Sequence, residues 1–242
     1  MRLLIIRHGD PDYSIDSLTE KGWREAEILS DRISKLDVKA FYCSPLGRAK
    51  DTAKPTLEKM GREAEICEWL REFYYCQVKL PGSDKPVLCW DFLPSFYTTV
   101  DELYDPVKFK EIDFMREANY PELYRAVTDG LDELLERHGY RRNGRYYEAI
   151  EPNRDTVVLF CHFGIECQLL GHLLGLSPVI LAQNLCAAPT SVTTLITEER
   201  EEGIAIFRCQ SFGDLSHLYA ANEEPAFAAR FCERYIDSDE RH

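Results

Sequence analysis

Long apolar runs, positive charge and metal-ligand spacing are all scarce in this 242-residue chain. The early run Leu3-Leu4-Ile5-Ile6 gives way at once to Arg7-His8, too short for a secretory leader or a membrane span. Neither secretion nor membrane insertion is expected, and a cytoplasmic location is. Lys and Arg number 29 against 42 Asp and Glu, a formal net charge of −13, which disfavours a nucleic-acid reader. The nine cysteines are odd in number and form no C-x-x-C pair, and Cys43, Cys161 and Cys209 lie inside apolar runs. Reduced, buried thiols fit that pattern better than a disulfide framework. No two Cys or His residues recur at zinc-finger or H-E-x-x-H intervals, so neither a metal nor another cofactor is expected. What is present is 45% hydrophobic and 12% aromatic residues, enough to bury a core and to set the chain apart from acidic disordered tails.

The segment Arg2 to Ile6 is β-rich and almost wholly apolar, the pattern of a parallel strand covered on both faces, and it ends at Arg7-His8-Gly9. Ser17 and Thr19 are rival N-caps for an amphipathic helix carrying Trp23, Ala26, Leu29, Ile33 and Leu36. A second strand, Ala40 to Cys43, leads to Ser44 as expected cap, with Pro45 at the first helical position and Arg48 and Thr52 on the helix. Ala64 to Cys67 reads as a further short strand. After Glu72 the β-α rhythm stops, and residues 73–119 read as an inserted cap rich in proline and aromatics. Helical periodicity returns from Pro121 and stops at His138-Gly139, and Arg141 to Arg145 reads as a basic turn. Thr156 to Cys161 is the strongest buried strand and runs into His162-Phe163-Gly164 and a helix. Ser191 to Thr197 and Ile204 to Cys209 flank a charged turn at Glu198 to Gly203, and a short helix is expected near Phe227 to Tyr235. The fold class is α/β: one domain in three α/β/α layers, with a mainly parallel central sheet and the inserted cap.

In open α/β sheets, ligands bind beyond the carboxyl ends of parallel strands, where helix N-termini offer N–H groups to anions. Three strand ends here bring two arginines and two histidines: Arg7-His8, Ser44 with Arg48 one turn on, and His162. That set suits phosphate, because guanidinium matches its oxygens and imidazole can attack phosphorus. Gly9 and Gly164 are expected to let backbone approach the anion. The motifs Arg7-His8-Gly9, Leu18-Thr19-Glu20-Lys21-Gly22, Ser44-Pro45-Leu46-Gly47-Arg48-Ala49 with Thr52-Ala53, and His162-x-Gly164 resemble, in that order, the histidine phosphatase superfamily, the phosphoglycerate mutase-like proteins.

The resemblance implies His8 as a nucleophile forming phosphohistidine, with Arg7, Arg48 and His162 completing a phosphate pocket and Glu72 at the position of the proton donor. It implies phosphomonoester hydrolysis of a small phosphorylated metabolite, without metal or organic cofactor. The alternatives are a mutase-like phosphotransferase and an idle phospho-ligand-binding module. Asp10-Pro11-Asp12-Tyr13 departs from the Glu-Thr that follows R-H-G in many relatives, and Phe163 argues against the acid-phosphatase branch, which places an acid after the second histidine. His138, His172 and His217 read as structural. The insert aromatics, among them Tyr74, Tyr75, Trp90, Phe92 and Phe96, read as core or as a leaving-group pocket, and Lys79, Lys85, Arg116, Arg141 and Arg142 as exposed or as a second anion site. No oligomeric state can be read from the sequence.

Overall fold

The computed structural model describes residues 1–226, so the helix expected near Phe227 to Tyr235 lies outside the described residues. In chain order the first part contains β1 (Arg2–Arg7), β2 (Pro11–Asp12), β3 (Ser17–Leu18), α1 (Glu20–Ile33), β4 (Ala40–Cys43), α2 (Gly47–Met60) and β5 (Glu65–Ile66). Residues 73–119 hold the hairpin β6 (Gln77–Lys79) and β7 (Pro86–Leu88), then α3 (Pro94–Tyr97) and α4 (Asp113–Glu117) among 3₁₀ turns. Then come α5 (Tyr120–Arg137), β8 (Tyr140–Asn143), β9 (Tyr146–Ala149), β10 (Thr156–Cys161), α6 (Phe163–Leu174), α7 (Pro178–Asn184), β11 (Val192–Glu201), β12 (Ile204–Asp214) and α8 (Ser216–Ala220).

The central sheet runs β5-β4-β10-β1-β11-β12-β9-β8. Strands β5, β4, β10 and β1 pair in parallel, β12 and β8 share their direction, and β11 and β9 are reversed. Alternation along β1 shows why the domain has three layers. Leu3 and Ile5 enter one core with α5 and α6, and Leu4 and Ile6 enter the other with α1 and α2. Residues 73–119 share the first of these cores: Phe73, Val78, Phe109 and Met115 pack in the same cluster as Tyr120, Leu131 and Leu159.

Local outcomes differ from the sequence reading at four places. Helix α2 begins at Gly47 with Leu46 as N-cap, two residues later than expected, because the Ser44 hydroxyl is taken by His162 Nε2 at 2.7 Å and by the Leu46 N–H. Arg141 to Arg145 forms the end of β8 and the turn of a hairpin, not merely a turn: β8 and β9 bury Tyr140 and Tyr147, Arg141 and Arg145 are exposed, and Arg142 lies half-buried over the Tyr147 ring. The turn between β11 and β12 shrinks to Glu202-Gly203, since the charged residues before it continue the strand with their side chains in solvent. Cys209 is exposed on β12, unlike the expected buried thiol. Thr19, not Ser17, caps α1 by accepting the Gly22 N–H. Among the described residues no helix is long and apolar enough to cross a membrane, and the eight cysteines are all free.

Candidate active site

The parallel strands β1, β4 and β10 end side by side, with Arg7 in register with Cys161 and Cys43 with Phe160. The residues that follow are therefore brought together: His8 after β1, Ser44 after β4 and His162 after β10. The rings of His8 and His162 lie 5.1 Å apart between centroids. Both are buried, and their pKa values fall well below the ordinary imidazole range, first because burial disfavours the cation and then through nearby positive charge, Arg7 and Arg48 acting on both rings. Both histidines are neutral at pH 7.

The hydrogen bonds fix which nitrogen of each ring is free. His8 Nδ1 donates to the Gly9 carbonyl at 2.8 Å, leaving the Nε2 lone pair for a reacting atom. The Ser44 hydroxyl accepts the Leu46 N–H, so its own proton is free to go to His162 Nε2 at 2.7 Å. His162 Nδ1 then carries hydrogen and has no partner among the described residues.

The two arginines are held by different means. Arg7 donates through Nη1 to the Ala187 carbonyl, and its guanidinium lies 5.9 Å from the centroid of the Phe163 ring. Arg48, in the first turn of α2, donates to Asp16 Oδ1 at 2.6 Å and stacks against Tyr13 at 5.4 Å. Thr52 joins the two motifs: its hydroxyl accepts the Gly9 N–H at 2.8 Å and donates to the Arg48 carbonyl at 2.7 Å. The Asp10 N–H is held in turn by Glu25 at 3.0 Å.

Glu72 meets the start of α6, the helix that follows His162. Its Oε1 accepts from Phe73 N at 2.8 Å and Ile165 N at 3.0 Å, and Oε2 from Gly164 N at 3.2 Å, so the carboxylate sits on the N-terminus of α6. A Cβ on Gly164 would stand 2.6 Å from Glu72 Oε1 and 2.8 Å from the Trp90 ring. Gly9 is similarly packed against the Gly22 carbonyl. These glycines make room for protein groups, not for the anion as expected. Likewise, N–H groups expected to await an anion are already engaged: Gly164 and Ile165 by Glu72, and Gly47 by Asp16 Oδ2 at 2.7 Å.

The structure thus gathers Arg7, His8, Arg48 and His162, with Glu72 beside them. It also adds participants the sequence reading passed over: Asp16, Tyr13 and the Ala187 carbonyl, none with a motif signal, and Glu166, visible in retrospect as an acid inside an apolar helix. Trp90 packs edge-on to Phe163 at 6.2 Å, and it and Glu72 both crowd Gly164, whereas Phe92, Phe96 and Phe114 form a separate aromatic cluster. The basic candidates for a second anion site are not gathered: Arg116 pairs with Asp113, Arg141 with Glu148, and Arg142 lies over Tyr147. His138 bonds Tyr42, His172 bonds Asp132, and His217 sits between Arg32 and Thr190, all in structural roles. Among the described residues no group of three or more His, Cys, Asp or Glu is placed to hold a metal ion.

Comparison with known proteins points the same way: the family model of the histidine phosphatase superfamily (branch 1) matches residues 3–83, the stretch that holds Arg7, His8, Arg48 and Glu72. The Schizosaccharomyces pombe protein named "Probable phosphatase C1687.21" is 24% identical over 234 residues, covering 90% of this chain and 95% of that protein. A 2,3-bisphosphoglycerate-dependent phosphoglycerate mutase of Thermoplasma acidophilum is 34% identical over 70 residues, 25% of this chain and 35% of the mutase. Among solved structures, phosphoserine phosphatase from Entamoeba histolytica in complex with phosphoserine superposes with a TM-score of 0.57 at 18% identity, over 90% of this chain and 98% of that one. A mycobacterial glucosyl-3-phosphoglycerate phosphatase gives 0.54 at 21% identity, over 87% and 98%.

Proposed function

We propose that the protein hydrolyses phosphomonoesters of small phosphorylated metabolites through a phosphohistidine on His8. The observation that carries this reading is the neutral His8 ring, its Nδ1–H tied to the Gly9 carbonyl and the charges of Arg7 and Arg48 acting on it. Arg7 and Arg48 hold the phosphoryl oxygens and balance their charge, and His162 donates its Nδ1–H. His8 Nε2 attacks phosphorus as the bond to the ester oxygen breaks, and Glu72 gives that oxygen a proton. Water then attacks the phosphohistidine, the P–N bond breaks, and Glu72 takes the water proton. Trp90 and Phe163 stand next to that carboxylate and are assigned to the leaving-group side.

The test is phosphate release from p-nitrophenyl phosphate and from sugar, glycerate and nucleotide phosphates, in the presence of chelator, with His8→Ala as control. Turnover lost in the variant supports the reading. Labelled phosphate that returns to an organic product instead of appearing as inorganic phosphate would replace hydrolysis with mutase-type transfer.

A further inference from the structure

Glu166 has no part in that scheme, yet its placement calls for an explanation. It lies in the first turn of α6, four residues after His162, along a stretch in which every residue from Phe163 to Gly171 is buried. The residue is 1% exposed, and among the described residues neither carboxyl oxygen has a partner at hydrogen-bonding geometry. An unpaired buried carboxylate is among the more costly arrangements a fold can carry. The Thr193 hydroxyl of β11 is close enough to favour the charged form, and it accepts the Gly213 N–H at 3.0 Å, so its own proton is free to face the carboxyl.

The charged neighbour that matters is Arg7. Its guanidinium feels the negative charge of Glu166, and the carboxyl in turn feels Arg7. The other titratable groups facing Glu166 are Glu72 from the stretch before the 3₁₀ turn, Cys161 on β10, Cys167 on α6 and Cys209 on β12. The three thiols are pushed up by burial and stay neutral through pH 7. Burial also raises Glu166 to about 7, with Glu72 adding to the rise and Thr193 and Arg7 opposing it.

We propose that Glu166 is a positioning residue of the phosphate pocket, its buried, unpartnered carboxyl in the first turn of α6 setting how much of the Arg7 charge reaches a bound tetrahedral dianion. This rests on the phosphate-pocket reading given above. With Glu166 neutral, Arg7 has one negative neighbour fewer, Glu72 remaining. Once ionised, Glu166 offsets Arg7 and repels the dianion, so anion affinity falls as pH rises through neutrality. Linkage makes the effect reciprocal: a bound dianion draws a proton onto Glu166.

The probe is sulfate, a tetrahedral dianion that does not itself titrate near neutrality. Its Kd is measured on the full chain by calorimetry from about pH 5.5 to 8.5, in buffers of different ionisation heat. The wild type is expected to lose about tenfold in affinity over that range and to take up protons on binding. Glu166→Gln should flatten the curve and lower the proton uptake relative to the wild type. Thr193→Val keeps the carboxyl but removes the hydroxyl that favours its charge, and should move the midpoint upward. A Glu166→Gln variant with the wild-type slope overturns the proposal. If that variant fails to fold, an unmoved midpoint in Thr193→Val overturns it. Sulfate binding undiminished in Arg7→Ala contradicts the phosphate pocket itself, whereas Arg7-dependent binding with a flat wild-type pH curve contradicts only the role of Glu166.

Discussion

The two halves of the central sheet put strands to different uses. Strands β5, β4, β10 and β1 are two to six residues long and run parallel, and β4, β10 and β1 stop at one edge with Ser44, His162 and Arg7-His8. Strands β11 and β12 are 10 and 11 residues long and antiparallel; their outer parts, with β9 and β8, carry surface ion pairs such as Arg208 with Glu198 and Arg141 with Glu148. Parallel strands end together, so residues far apart in sequence meet, whereas a hairpin sends successive ends to opposite edges. The antiparallel half reaches the site through the start of β11 and the loop before it, where Ser191 O accepts the Arg7 N–H, Thr190 N donates to His8 O and Thr193 faces Glu166.

Substitutions can sharpen or break this division. Arg48→Ala removes a parallel-half guanidinium and should lower kcat/KM for any ester by about 10²- to 10⁴-fold with little change in thermal stability, read from steady-state kinetics and a melting curve. Phe207→Ala does the reverse: this ring of β12 is 4% exposed and packs edge-on to Tyr147 at 5.2 Å. Its loss should cost about 3–5 kcal/mol in denaturant unfolding while the folded fraction keeps its kcat. A large fall in kcat at permissive temperature would break the division.

Glu25 gives a pH signature to the junction of α1 with the loop after β1. It is buried, accepts the Asp10 and Ala226 N–H groups, and is raised by burial to about 7. A carboxyl raised in the folded state contributes stability that is full below its unfolded pKa of about 4.5 and is lost as pH rises through about 7. Glu25→Gln should flatten the decline in stability across that window by up to about 3 kcal/mol. His8 and His162 act oppositely, contributing above about pH 6.5 and losing that contribution as pH falls through their depressed values, so the difference between variant and wild type is the quantity to read.

Glu72→Gln should slow esters of poor leaving groups more than p-nitrophenyl phosphate, whose departing phenolate needs little protonation; equal losses would remove Glu72 as the acid. The smallest effect is expected from Asp16→Asn. Its carboxylate competes with phosphate for Arg48, and half of it is open to solvent, so neutralising it should tighten product inhibition by phosphate only a few-fold.

Legibility in the sequence follows the same division. Apolar runs at Leu3 to Ile6 and Val157 to Cys161 announce buried parallel strands, and the histidines that end them stand in local motifs, so the strand-end residues could be read before the fold was seen. The hairpin β8–β9 was hidden by its arginines, although Asn143-Gly144, with Gly144 at φ 57°, is a hairpin turn signal and Tyr140 and Tyr147 mark its inner face. Ser44 was read as a helix cap because local sequence shows the hydroxyl but not His162, which lies 118 residues away. Asp16 and Glu166 were passed over for the same reason: each acts on an arginine that only the tertiary fold supplies.

The central claim is covalent. Labelled ester is mixed with the protein and quenched within a turnover, and the trapped phosphate is mapped by peptide. The expected result is an acid-labile, base-stable phosphate on the peptide holding His8, absent from a folded His8→Ala variant that no longer turns over. Label on another residue, or wild-type turnover in His8→Ala, would contradict it.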